Sequence, residues 1–132
     1  MKHFQLPLLL LFIALNACQT GASDSTQKQA LTPGDLVGKT IEYRYGESVY
    51  HVTLDSDSAL HWEAMAGEEK GTREEETYKI ESIGDNKLFI TWGEANGIGV
   101  SQVLDFDKGI VYNHLLRGRE VSIGQGKIQI LE

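Results

Sequence analysis

Residues 88–106 read LFITWGEANGIGVSQVLDF, a strand, a tight turn and a returning strand. Leu88, Ile90 and Trp92 alternate with Phe89, Thr91 and Gly93, which puts the first three on one face of an extended chain. Asn96-Gly97 is turn chemistry, because both residues tolerate the positive φ that a tight hairpin needs. On the return, Val100, Gln102 and Leu104 share one face, and Ser101 and Val103 the other. Glu94 follows in phase with Trp92. This carboxylate therefore stands on the apolar side of the hairpin, either at a solvated rim or facing an interior.

Working outward, the chain from Lys39 onward has no helical period. Short runs rich in β-branched and aromatic residues are separated by turn signals at the spacing of an all-β sandwich or barrel. Eight strands are predicted, near 39–46, 48–55, 59–66, 72–82, 87–93, 98–106, 109–117 and 125–131. Every connection except Gly118–Gly124 is short enough for a hairpin, so consecutive strands should be antiparallel neighbours. An eight-strand meander either closes on itself or leaves two long edges exposed, and closure avoids the exposed edges. The expected fold is an all-β, eight-stranded antiparallel up-and-down barrel, just wide enough to hold one small ligand.

Strand phases predict the interior. Ile41, Tyr43 and Tyr45 share a face, as do Leu60 and Trp62, Tyr78 and Ile80, and Ile90 and Trp92, with Val100 and Tyr112 completing the set. Such a lumen is aromatic with several hydroxyls, which suits a flat ligand with a polar edge. The expected ligand-binding residues are Tyr43, Tyr45, Trp62, Tyr78, Trp92, Glu94 and Tyr112.

The N-terminus does not belong to that barrel. Met1-Lys2-His3 is a short basic start, and Leu6–Leu15 is almost wholly apolar but too short to span a bilayer as a stable helix. It ends in Leu15-Asn16-Ala17-Cys18, which resembles a bacterial lipobox, and Cys18 is the one cysteine of the chain. The expected organisation is a lipoprotein signal peptide at 1–17, an acylated Cys18 with a flexible tether over 18–34, and the barrel over 35–132. Pro33–Gly38 reads as a turn or single helical turn closing one end of the domain. With one cysteine no internal disulfide is possible, so the domain must hold by packing alone. Lipid attached at Cys18 would anchor the chain, and Gln19 after it favours the outer membrane facing the periplasm in a two-membrane cell.

The chain carries 12 Lys and Arg against 19 Asp and Glu, a net charge of −7. Loss of Lys2 with the leader makes the remainder more negative still. An acidic domain repels nucleic acid and anionic headgroups, which excludes a polyanionic partner and leaves lipid as the means of attachment.

Three stretches together resemble a known group. Gly38-Lys39-Thr40-Ile41-Glu42-Tyr43-Arg44-Tyr45, then Asp57–Trp62, then Ile90-Thr91-Trp92-Gly93-Glu94 through Val100-Ser101, are similar to MoaF-like proteins and to the phenolic acid decarboxylases. The most specific pieces are the Tyr-x-Tyr and the Trp-x-Glu-x-x-Gly hairpin. The resemblance implies a lipocalin-like barrel. In the decarboxylases a Tyr pair orients the substrate carboxylate, while an Arg and a Glu handle the phenol end and proton transfer. The pair carries over to Tyr43 and Tyr45 and the acid to Glu94. The arginine has no clean counterpart, Arg73 being the nearest. The lipobox places the chain nearer the MoaF-like, presumed binding branch.

Three readings follow: an envelope protein binding a small apolar or aromatic molecule, a cofactor-free carboxy-lyase using Tyr43, Tyr45 and Glu94, and an envelope interaction protein whose barrel is filled by its own side chains. No cofactor is expected. His51, His61 and His114 lack metal-ligand spacing, so no metal site is expected either. Glu68-Glu69 and Glu74-Glu75-Glu76 read as a solvated acidic end of the barrel. Ser101 has no nucleophile-elbow context.

Overall fold

The computed structural model describes residues 28–132; the leader, Cys18 and most of the expected tether lie outside them. One helical turn, α1 (Pro33–Leu36), precedes eight strands. They are β1 (Thr40–Tyr45), β2 (Ser48–Leu54), β3 (Ala59–Ala66), β4 (Arg73–Gly84), β5 (Lys87–Gly93), β6 (Ile98–Asp105), β7 (Ile110–Arg117) and β8 (Glu120–Leu131). Each strand pairs antiparallel with the next, and β8 returns to pair with β1 from Thr40↔Leu131 to Arg44↔Lys127. The sheet thus closes into the expected eight-stranded barrel. No described strand is left as an edge. Among the described residues no helix is long and apolar enough to cross a membrane.

The meander sorts the connections to two ends. The lower end gathers the β2–β3, β4–β5 and β6–β7 turns. It is packed solid by Ile41, Leu54, Leu60, Leu88, Leu104 and Val111, all fully buried. Leu36 of α1 plugs this end and is itself fully buried. The plug is fastened where Val37 bridges to Leu54 and the Gly38 amide donates to the Leu54 carbonyl at 2.7 Å. Asn86, at φ +54° in the β4–β5 turn, ties the end together. Its Oδ1 accepts from the Leu31 amide at 2.7 Å and its Nδ2 donates to Asp107 at 2.7 Å. Gly97 takes φ +84° in the β5–β6 turn, the conformation that Asn96-Gly97 was read to supply.

Two expectations are corrected. Gly118–Gly124 is not a loose connection: Gly118 (φ +60°) and Arg119 make a tight turn, and β8 begins at Glu120. The apolar residues of that first part, Val121 and Ile123, point outward, so the stretch lacks an inward apolar row to announce it. In β7 the other face is interior. Val111, Asn113 and Leu115 pair directly with the inward Leu104, Gln102 and Val100, which turns Tyr112 outward at 42% exposure. Both faces of β7 carry apolar side chains, so alternation alone could not choose between them.

Candidate functional site

The upper half of the barrel is hollow. A half-enclosed cavity of about 400 Å³ lies between the lower core and the upper turns. Pairing register explains its walls. Tyr43 of β1 stands opposite Tyr50 of β2, and Val52 opposite Trp62 of β3. Trp92 of β5 stands opposite Val100 of β6, and Gln102 opposite Asn113 of β7. Cross-strand neighbours on the inward face are in contact range, so these side chains form one continuous surface.

Four aromatic rings run edge to face around one side. Tyr43 and Tyr45 centroids are 6.4 Å apart, Tyr45 and Tyr50 6.2 Å, and Tyr50 and Trp62 6.1 Å. Edge-to-face contacts at these distances are favourable and hold the rings in place. Tyr45 fits because its register neighbour on β8 is Gly126, where a Cβ would lie 2.7 Å from the ring. Gln102 Nε2 donates to Asn113 Oδ1 at 3.0 Å and reaches the Tyr45 hydroxyl at 3.5 Å. The Tyr50 hydroxyl donates to Glu69 at 2.5 Å.

Several polar groups in this wall lack partners. Tyr43 Oη, Trp62 Nε1, Trp92 Nε1 and Gln102 Oε1 are shut off from solvent with no hydrogen bond. Tyr43 is 2% exposed, Gln102 4%, Trp62 6% and Trp92 7%. Unpaired buried polar atoms are costly, and at a cavity wall they are groups a ligand can satisfy.

Glu94 lines the cavity mouth, half-buried. Its Oε2 accepts from Asn96 Nδ2 at 3.2 Å. Burial raises its pKa above the usual carboxylate value; Asn96 opposes the shift, and the charges of Glu74 and Glu69 add to it. Burial likewise raises Tyr43 and Tyr45, and raises Tyr50 to about 12 with help from Glu69, so all three hydroxyls keep their protons at neutral pH.

Of the predicted site residues, Tyr43, Tyr45, Trp62, Trp92 and Glu94 come together on this cavity. Tyr78 and Tyr112 do not. Tyr78 is buried lower down, where its hydroxyl donates to the Ser56 carbonyl at 2.7 Å, and Tyr112 is on the outer surface. Arg73 stands outside β4 opposite Glu63, so the arginine suggested by the decarboxylase resemblance does not reach the cavity. The outward histidines have local partners: His61 with Asp55 at 2.8 Å and His51 with Glu42 at 3.2 Å. Among the described residues no group of three metal-ligating side chains gathers. Ser101 bonds Thr91 at 3.0 Å.

The lining also contains Tyr50, Glu69, Gln102, Asn113, Arg117 and Gly124, none of them predicted as a site residue. Gln102 was in phase with Val100 and so legible as inward. Tyr50 is hidden by a bulge at Val49/Tyr50, and Glu69 and Arg117 sit at strand ends, where alternation carries no information.

A closed eight-stranded meander, plugged below and hollow above, defines a lipocalin-like barrel. The MoaF-like family matches residues 37–129, and the chain belongs to that family. A search of curated protein sequences finds no match. Among solved structures, the barrel is similar to a Burkholderia vietnamiensis protein described as a "putative beta-lactamase". The TM-score is 0.67 at 21% identity, covering 73% of this chain and 95% of that one. At that identity the likeness shows the fold.

Proposed function

We propose that this is a lipid-anchored envelope protein whose barrel binds one small apolar or aromatic molecule. The observation that carries the reading is the aromatic cavity of about 400 Å³ with unpaired buried polar atoms in its wall. That volume lies within the range of small-molecule sites, and a mostly apolar lining with a few polar groups is their usual character. A barrel filled by its own side chains would leave no such space. The lipobox at Leu15–Cys18 supports attachment at the outer membrane facing the periplasm.

The chain's two tryptophans, Trp62 and Trp92, both line the cavity, so their fluorescence reports on it directly. A neutral apolar probe such as N-phenyl-1-naphthylamine should bind saturably at one per chain and change that fluorescence. Gly124→Leu should abolish binding, because Gly124 lines the cavity and a Cβ there meets open space. A folded protein that binds no probe refutes the reading. For the anchor, Cys18→Ser should move the protein from the membrane fraction to the soluble one.

The lyase alternative rests on Glu94 at the mouth with its raised pKa, beside the Tyr43–Tyr45 pair. Incubation with hydroxycinnamic acids tests it. Product lost in Glu94→Gln would support the lyase, and no product would eliminate it for these substrates.

A further inference from the structure

Behind the cavity's aromatic wall lies a set of carboxyl groups that the binding reading leaves unused. On β4, Glu74 and Glu76 occupy the inward register, opposite Trp62 and Leu60 respectively. Glu74 Oε2 and Glu76 Oε1 are both shut off from solvent without a donor. Two adjacent carboxyl groups can satisfy each other by sharing one proton, and burial together with Glu74 pushes Glu76 up to about 7. Continuing the Tyr78↔Trp92 register places Glu94 across from Glu76, and Glu69 lines the cavity from the β3–β4 turn. The expectation of a solvated acidic end is corrected here: two of the three carboxylates in Glu74–Glu76 face inward.

Among the nine-tenths-buried groups of the cavity wall, two can accept from a ligand. Gln102 Oε1 is an acceptor with no donor, and the Tyr43 hydroxyl oxygen is equally free. Trp62 and Trp92 line the same cavity as Glu69 and Glu94, so a cation held there has both aromatic rings and carboxylates around it. The opposing charge is Arg117, which is exposed at the rim and paired in register with Glu120. Water screens it more than the half-buried Glu94.

We propose that the ligand of this cavity is an organic ammonium cation with an apolar or aromatic body. Its charged end would sit at the cavity mouth beside Glu94 and Glu69, with its apolar end against Tyr43 and Tyr45. This rests on the ligand-binding reading above and sharpens it. An aromatic carboxylate would meet like charge at the same place, so the inference disfavours the lyase substrates.

Three ligands of matched size separate the possibilities: 4-butylbenzylammonium, 4-butylbenzyl alcohol and 4-butylbenzoate, titrated against tryptophan fluorescence at about pH 8. The ammonium should bind about tenfold more tightly than the alcohol, and the benzoate more weakly than either. Glu69 and Glu94 line the site, with Glu74 and Glu76 behind its wall, opposed by Arg117, while Tyr43, Tyr45 and Tyr50 stay protonated. Ammonium affinity should therefore fall as the pH is lowered through about 7, where Glu76 takes up its proton, and alcohol affinity should not. Glu76→Gln should remove that pH dependence and narrow the ammonium's advantage over the alcohol. Equal binding of ammonium and alcohol, or tighter binding of the benzoate, overturns the cation assignment and leaves the ligand cavity standing. If none of the three binds and the neutral probe also fails, the cavity reading itself falls.

Discussion

Replacing Tyr43 by Phe removes a single oxygen from the middle of the barrel wall. That oxygen is buried, in a residue 2% exposed, and has no hydrogen-bond partner. A buried hydroxyl without a partner costs about 1–3 kcal/mol relative to one left in water. The ring keeps its edge-to-face contact with Tyr45, so Phe retains the packing and loses the cost. Tyr43→Phe should therefore stabilise the ligand-free protein by about 1 kcal/mol, or about 4 °C in Tm for a domain of this size. In urea, with a slope of about 2 kcal/mol/M, the midpoint should rise by about 0.5 M with the slope unchanged. Trp62 and Trp92 fluorescence follows the unfolding. Tyr78→Phe is the internal control: its hydroxyl donates to the Ser56 carbonyl at 2.7 Å, and losing that bond should cost about 1 kcal/mol. The same atom deleted from two buried tyrosines should thus act in opposite directions. If Tyr43→Phe destabilises as much as Tyr78→Phe, the hydroxyl has a partner in solution and is not being held for a ligand.

Three further outcomes are expected. Gly126→Ala places a Cβ 2.7 Å from both the Tyr45 ring and the Arg44 carbonyl, and because one of those is backbone it should destabilise by about 1–3 kcal/mol, read by the same urea unfolding. Glu76→Gln should make the protein relatively more stable at pH 8 than at pH 5. Its folded value of about 7 lies above the ordinary 4.5, so the wild type loses stability as pH rises through that window and the variant does not. Glu42 behaves oppositely. Arg44 Nε at 2.6 Å, with His51 and Gln129 also bonded, holds its carboxyl below the usual value, so its contribution is present above pH 4.5 and lost on acidification. Glu42→Gln should flatten the acid limb of a stability–pH curve, and an unchanged limb would show that the cluster contributes nothing.

The contrast between Glu42 and Glu76 shows where alternation stops informing. Both sit in charged, alternating strands. Glu42 is on the outer face, yet only 7% exposed because Arg44, His51 and Gln129 close over it from β1, β2 and β8. Glu76 belongs to a run read as a solvated edge and instead faces the interior, because β4 continues with Tyr78 in the same phase. Side-chain polarity suggested the wrong side for Glu76, and the strand's own period places it.

The amino-acid sequence by itself determined that the chain is a meander of eight short strands, because period-two alternation and turn residues are local properties. It also determined that the strands close, because short connections forbid any other neighbour and open edges are unfavourable. The Leu88–Phe106 hairpin, with Trp92 and Glu94 in phase, was legible on the same grounds. Tertiary structure alone decided which face of β7 is interior, since both faces are apolar and only pairing with β6 chooses between them. It alone decided that Tyr78 serves the lower core while Tyr50, unsuspected, joins the cavity: height along the barrel depends on register summed over all eight strands. The upper half stays hollow for the same reason, because Gly126 comes level with Tyr45, and Gly124 two residues further along β8, only when β8 closes on β1.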